Sequence, residues 1–358
     1  TPEQVKEIQD GMGIMSDDTL KDLGYTLGVF EQDREKLIEA INNELKYAGK
    51  PSYTKAQDQL KGILDSDSDG QKQMETFLKD SEELQKELSS LKEEFTDVED
   101  MLEGMSEEQD PDTYNELSDK MMDLESELSE KRKAYAKKSR EAFKKAFAVA
   151  DPSYVRIKVS GDFSEDGIKR LQKGRNFLKG LVGKEYGEEL SVKTEMLPKG
   201  GRAFHVPTHI AVTDSEDPAT IVHEIGHRLN ENPKVKELCK TFLEARLKGV
   251  KPVSMKEKFP NNGYDDSEMG NPDDFTKVFN KKGSSHAYYT GKIYEGRGQT
   301  EVISMGVEQL YRDPVHFAKA DPEYFKFVTG VLSGRLLKSN EPQKPIQNDD
   351  DEAIDLFG

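Results

Sequence analysis

His223-Glu224-Ile225-Gly226-His227 is an H-E-x-x-H stretch in a segment that reads as helix. Residues four apart on a helix lie one turn above each other, so His223 and His227 can grip one metal ion together. Glu224 then faces the ion's open side, where a carboxylate can take a proton from water. Asp217-Pro218 supplies an N-cap with proline at the first helical position. Ile221, Val222, Ile225 and Leu229 form an apolar stripe that sets this helix against a core. Just upstream, residues 204–213 have strand character, with Val206, Ile210 and Val212 as the apolar positions. A strand leading into a metal-bearing helix is how zinc peptidases lay a substrate beside the ion. The stretch therefore predicts a site for one catalytic Zn2+. The alternative is a pair of buried structural histidines.

A catalytic zinc takes three protein ligands and keeps a fourth position for water. The metzincin pattern needs glycine at 230 and histidine at 233, where this chain has Asn230 and Pro233, so that class is excluded. The third ligand must then come from a downstream helix, and Glu301 in Gln299-Thr300-Glu301-Val302-Ile303-Ser304-Met305-Gly306 is the best candidate. His286 is the reserve, as ligand or oxyanion donor. His205 and His209 lie in the strand region beside the cleft, where they read as substrate contacts or as ordinary strand residues.

Over residues 200–335 the chain resembles the glutamate zincins of the lethal-factor type and related metallopeptidase domains of phage head proteins and mobile-element toxins. The resemblance rests on the HEIGH motif, on Tyr294 seven residues before Glu301, and on the later aromatic helix Pro322-Glu323-Tyr324-Phe325-Lys326-Phe327-Val328. It implies a metal site of His223, His227 and Glu301, with Glu224 as base and Tyr294 as oxyanion donor. Tyr288 and Tyr289 rival Tyr294 but lack its spacing. One departure stands out. The family often carries a second carboxylate four residues after the liganding glutamate, to orient a zinc histidine, and here that position is Met305. An orienting partner must come from elsewhere.

Composition bounds the partners. Of the 358 residues 34% are hydrophobic and 34% charged, so part of the chain must be elongated, with much surface per residue. A net charge of −18 argues against nucleic acid, whose phosphates select basic faces. The one cysteine, Cys239, excludes an internal disulfide and cysteine-rich zinc modules, and reads as core. No segment is apolar enough to span a membrane and no signal peptide opens the residues given, which points to the cytoplasm or to a phage particle or injected protein.

In chain order, residues 1–71 read as short helices, one capped by Ser16 and a second lined by Leu37, Ile41 and Leu45. Asp65-Ser66-Asp67-Ser68-Asp69-Gly70 matches the front half of a Ca2+-binding loop. Its twelfth position is Thr76 where a bidentate glutamate is required, so the default is an acidic loop between helices. Residues 72–150 carry Leu84, Leu88, Leu91, Phe95, Val98 and Leu102, with Phe77 a heptad earlier, then Leu117, Met121, Leu124, Leu128 and Tyr135. That spacing, interrupted at 104–111, predicts an antiparallel coiled-coil hairpin about 45 Å long. It is either a docking arm for a protein partner or a stalk packed on the next domain. Residues 151–340 mix strands and helices as a zincin-like metallopeptidase domain, and 341–358 form an acidic disordered tail. The expected fold class is α+β, and the expected function is a zinc metalloendopeptidase acting on a protein or peptide. The rivals are a structural or interaction protein with a degenerate zincin domain, and a zinc hydrolase acting on another bond.

Overall fold

The computed structural model describes residues 46, 48–105, 110–271, 278–279, 285–292 and 300–338. The expected helices of residues 16–45, the acidic tail and Tyr294 lie outside the described residues. The chain is mixed helix and sheet. It divides into two compact units: Thr1–Gly62 with Lys236–Val302, and Ile63–Val235 with Ile303–Gly358.

The second unit opens with the later turns of α1 (Ser52–Ser66), then α2 (Ser68–Asp80). The acidic stretch 65–70 is therefore not a loop but two helices broken at one residue. Asp67 occupies the break: its Oδ1 accepts from the Gly70 amide at 3.0 Å and from Arg335 Nε at 2.8 Å. The carboxylate that a calcium loop would use is thus committed to a helix cap and a buried ion pair. Ser81 ends α2, so the paired helices begin only at α3 (Glu82–Glu103), which packs along α4 (Pro111–Ala146). Lys120 pairs with Glu94 at 3.1 Å, and Leu84 and Leu88 share a pocket with Lys131 and Tyr135. Rising numbers on one helix meet falling numbers on the other, so the pair is antiparallel. Val98, Leu124, Leu128 and Tyr135 are its buried members. Phe77, one heptad upstream, belongs instead to an aromatic core. Its ring lies 5.8 Å from Phe143 and 6.0 Å from Phe325, and Phe147 lies 5.4 Å from Phe325. Flat rings at these spacings combine large buried area with favourable edge and stacking contacts, which ties α2 and α4 to the later helices.

The sheet follows: β1 (Tyr154–Lys158), α5 (Glu165–Leu178), β2 (Glu189–Leu197), β3 (Phe204–Val206) and β4 (His209–Thr213), in the order β1-β2-β4-β3. β1, β2 and β4 are parallel, with Val155 beside Leu190, Ile157 beside Val192 and Thr194 beside Ile210. A parallel neighbour needs a crossover, and α5 supplies it between β1 and β2. The segment of strand character over 204–213 is a hairpin, because Pro207-Thr208 turns β3 back antiparallel on β4. β3 thereby becomes the sheet's edge. Arg156–Glu189 and His209–Glu195 pairs, at 3.5 and 2.9 Å, occupy the polar face.

α6 (Pro218–Leu229) then leads into α7 (Pro233–Leu247). The unit closes with most of α10 (Val302–Arg312), then α11 (Pro314–Ala320), α12 (Pro322–Leu332) and α13 (Arg335–Lys338). Four helices start at Asp-Pro. Asp110, Asp217, Asp313 and Asp321 each accept a backbone N–H of the first turn, and proline follows where no N–H is needed. α4 also holds this helical layer: Tyr135 donates to Asp313 Oδ1 at 3.1 Å, and Arg140 donates to the Tyr311 carbonyl at 3.1 Å.

The first unit contains, among its described residues, the start of α1, most of α7, the short ladder β5 (Val253–Ser254) with β6 (Met269–Gly270), α8 (Met255–Lys258) and α9 (Ser285–Thr290). Cys239 lies wholly buried on α7 beside Leu238, Phe242 and Leu243. Burial pushes its thiol up to about 12, only partly offset by a hydrogen bond with Thr300. It is therefore a core residue, as its position on the apolar stripe suggests. Lys292 is buried against Glu268 and over the Tyr289 ring at 4.8 Å.

Asp67→Ala should remove a buried partner from Arg335 and a cap from α2 together, costing about 3–5 kcal/mol. Asp65→Ala, at an exposed helical position, should stay within about 0.5 kcal/mol. Denaturant midpoints of the two variants, measured side by side, check the difference.

Candidate metal centre

α6 carries the HEIGH stretch and is almost entirely buried, with Ile221, Val222, Ile225 and Leu229 at 0–1% exposure. Two glycines explain how it sits so deep. A Cβ on Gly174 of α5 would meet Ile221 Cγ2 at 2.9 Å. A Cβ on Gly226 would meet the Ser304 Cα and Val307 Cγ2, both at 2.7 Å. α6 and α10 therefore touch nearly backbone to backbone at Gly226, an approach no other residue permits.

That contact places His223 and His227 on a helix running beside α10, with Glu301 directly before α10's first residue. One ligand atom from each of His223, His227 and Glu301 lies within 4.8 Å of the others. The imidazoles of His223 and His227 have centroids 5.0 Å apart and planes at 80°, as expected for neighbours one turn apart. His223 is 7% exposed and Glu301 wholly buried, while His227 is half-buried, so the cluster is most accessible on the His227 side. Glu224 is buried beside them at 5% exposure. Two imidazoles and one carboxylate form the donor set that a catalytic zinc takes, and they suit that ion.

The orienting carboxylate missing at Met305 is supplied one helical turn later. Glu308 Oε2 lies 3.1 Å from His223 Nδ1. With Nδ1 engaged there, Nε2 is the nitrogen left to face an ion. Arg312 Nε donates to Glu308 Oε1 at 2.7 Å, and Arg312 Nη1 donates to Asp217 Oδ2 at 3.3 Å. Asp217 Oδ1 meanwhile caps α6 through the Ala219 amide at 3.0 Å. Two charged hydrogen bonds of Arg312 thus link the cap of α6 to Glu308, whose other oxygen approaches the helix's first histidine. Burial pushes the Glu308 carboxyl up, but His223 and Arg312 together outweigh it and hold the carboxyl below its ordinary range. The signal was present in the sequence: residue 308 is seven after 301, and on a helix that spacing returns to the same stripe.

The other histidines separate. His205 turns inward from β3, its ring stacked on His227 at 5.7 Å and 21°. Burial, then the nearby His227, Arg228 and His209, lower it to about 4, so it is neutral at physiological pH. His209 faces the other side of the sheet, between Glu195 and the Thr208 hydroxyl at 3.0 Å, and is an ordinary strand residue. His286 is exposed on α9, stacked on Phe279 at 6.1 Å, and is not part of the cluster. Tyr288 is buried on α9 with its ring 5.1 Å from Phe259. No family model matches the chain, and no match was found among curated proteins or solved structures.

Gly226→Ala should force α6 and α10 apart and destabilise the fold by about 1–3 kcal/mol. Gly62→Ala, on a helix with nothing within 4 Å of the new methyl, should instead gain about 0.5–1 kcal/mol. Opposite shifts of the two unfolding midpoints are the expected result.

Proposed function

We propose that the chain is a zinc-dependent metalloendopeptidase of the glutamate-zincin type. The observation that carries this reading is the His223, His227 and Glu301 cluster, with Glu224 buried beside it and Glu308 behind His223. Zinc, when bound there, supplies Lewis-acid activation of water and of the scissile carbonyl. Glu224 takes the proton of the attacking water and returns it to the leaving amine. Glu308 holds the His223 ring in one orientation. His205, neutral and stacked on His227, adds no positive charge that would compete with a cation. Tyr294 enters on the sequence resemblance alone, as donor to the oxyanion of the tetrahedral intermediate. The edge strand β3 would present the protein or peptide substrate.

The antiparallel pair α3–α4, read as a coiled coil, serves in this scheme as an arm for a protein partner. A second reading makes that arm the working part and the metal cluster a relic, as in a phage virion component. Its support is the hairpin's long exposed surface. The two readings differ in metal content and in turnover.

The expected result is one zinc per chain, lost in His223→Ala and in Glu301→Ala and unchanged in Cys239→Ser. Glu224→Gln and Tyr294→Phe should keep the metal while slowing peptide cleavage by roughly a hundredfold or more. Elemental analysis and turnover on the same preparations provide the comparison. A folded protein that takes up no zinc when supplied with it would sink the enzyme reading, and full zinc in Glu301→Ala would move the third ligand elsewhere.

A further inference from the structure

The three charged groups behind His223 come in a fixed order of donors and acceptors. Asp217 Oδ2 accepts from Arg312 Nη1 at 3.3 Å, Glu308 Oε1 accepts from Arg312 Nε at 2.7 Å, and Glu308 Oε2 faces His223 Nδ1 at 3.1 Å. A guanidinium has donors only, and an ionised carboxylate has acceptors only. The order therefore has one consistent direction. Arg312 occupies one oxygen of Glu308, so a hydrogen bond from His223 to the other oxygen requires the ring proton on Nδ1.

We propose that Arg312 sets the hydrogen-bond direction of this chain and thereby fixes His223 in the tautomer that can ligate a metal. This rests on the metal-site reading above, and it assigns Arg312 as a positioning residue that acts through Glu308. Arg312 suits the role because it is anchored at two points. Its second arm is held by the residue that caps α6, so the guanidinium is registered to the helix that carries His223. One turn of α10 separates Glu308 from Arg312, an i, i+4 spacing that lets the pair form without distorting the helix.

A glutamine at 308 exposes the direction. The carboxamide has the shape of the carboxylate but one end accepts and the other donates. With Arg312 in place the amide must turn its oxygen to Nε, which leaves its NH2 toward His223. Nδ1 must then accept, so the ring proton moves to Nε2, the nitrogen the metal needs. Removing the arginine's donors frees the amide to turn over and accept from Nδ1–H. The second substitution should thus repair the first, which a merely structural role for Arg312 would not do.

The test uses the full chain with Arg312→Met, which keeps the aliphatic stem, Glu308→Gln and the double variant. Arg312 has a side chain 45% exposed, so the methionine should be tolerated. Arg312→Ala replaces it if that variant does not fold. Two readouts are taken. The first is zinc affinity by chelator competition: Glu308→Gln should lose about 10–100-fold, and the double variant should bind roughly tenfold tighter than Glu308→Gln. The second is the imidazole 15N shifts of His223 in chelator-treated protein, assigned by their loss in His223→Ala. They should report Nδ1–H in the parent, Nε2–H in Glu308→Gln and Nδ1–H again in the double variant. Glu308→Gln with Arg312→Lys, which keeps a donor, should behave as Glu308→Gln alone. An unchanged tautomer across the series, or a double variant that binds zinc no better than Glu308→Gln, overturns the proposal. A tautomer series that switches as expected in a chain that never takes up zinc leaves the role of Arg312 standing and removes the metal reading instead.

Discussion

The near contact of two helix backbones at Gly226 is the constraint on which the candidate centre depends. A glycine inside a helix costs about 1 kcal/mol relative to alanine, so its presence between the two histidines calls for a reason. The reason is distance. Only with α6 and α10 touching through the Ser304 Cα does Glu308 come within 3.1 Å of His223 and Arg312 within 3.3 Å of Asp217. α10 repeats the device on its far side, where a Cβ at Gly306 would meet Val328 Cγ2 of α12 at 2.3 Å. The helices are thus stacked at minimum spacing, and polar groups can reach from one to the next across what would otherwise be a layer of side chains.

Burial of this kind has an electrostatic consequence. In this seam Arg312 and Asp217 are about half exposed, but Glu308, with its side chain 10% exposed, is a buried carboxylate that costs several kcal/mol unless it is met by partners. Here each oxygen of Asp217 and of Glu308 has one. Glu308 shows which effect wins, since its carboxyl stays below the ordinary range despite burial. A carboxyl lowered on folding adds stability above its usual pKa and loses it as pH falls through the lowered value. The seam therefore favours the folded state at neutral pH and weakens it in acid.

Local signals in the sequence carried the elements well. Asp217-Pro218, Asp313-Pro314 and Asp321-Pro322 start helices in the structure because an Asx cap and a proline act on the chain within four residues of themselves. The heptad leucines between 84 and 128 likewise mark the less exposed stripes of α3 and α4. What failed needed partners from far along the chain. Phe77 fits the heptad register, yet Phe143 and Phe325 draw it into a different core. Asp67 fits a calcium loop, yet Arg335, distant in sequence, takes its carboxylate. The strand over 204–213 was legible as extended chain, but alternation alone does not show that Pro207 turns it back. In the candidate centre, spacing brought out the three metal-ligand candidates. The orienting carboxylate escaped because it was sought at the family's position rather than along the helical stripe.

Charge placement refines what composition alone suggested. Residues 82–130, most of the α3–α4 pair, hold nineteen of the acidic residues and only three of the basic ones. Residues 131–146 of α4 return eight basic residues against one acidic, so the whole pair from Glu82 to Ala146 carries −9, half of the net charge of −18, with its acidity concentrated in 82–130. Such a concentration repels itself, which two largely solvated helices tolerate because most of the charges face water and are screened beyond about 8 Å. The global charge thus averages an acidic stretch and a basic stretch of the same helix pair. It says little about the metal centre, where the field is set locally by Glu224, Glu301 and Glu308 against Arg228 and Arg312. The field at the centre and the charge along the hairpin are thus separate electrostatic problems, although the composition gives one number for both.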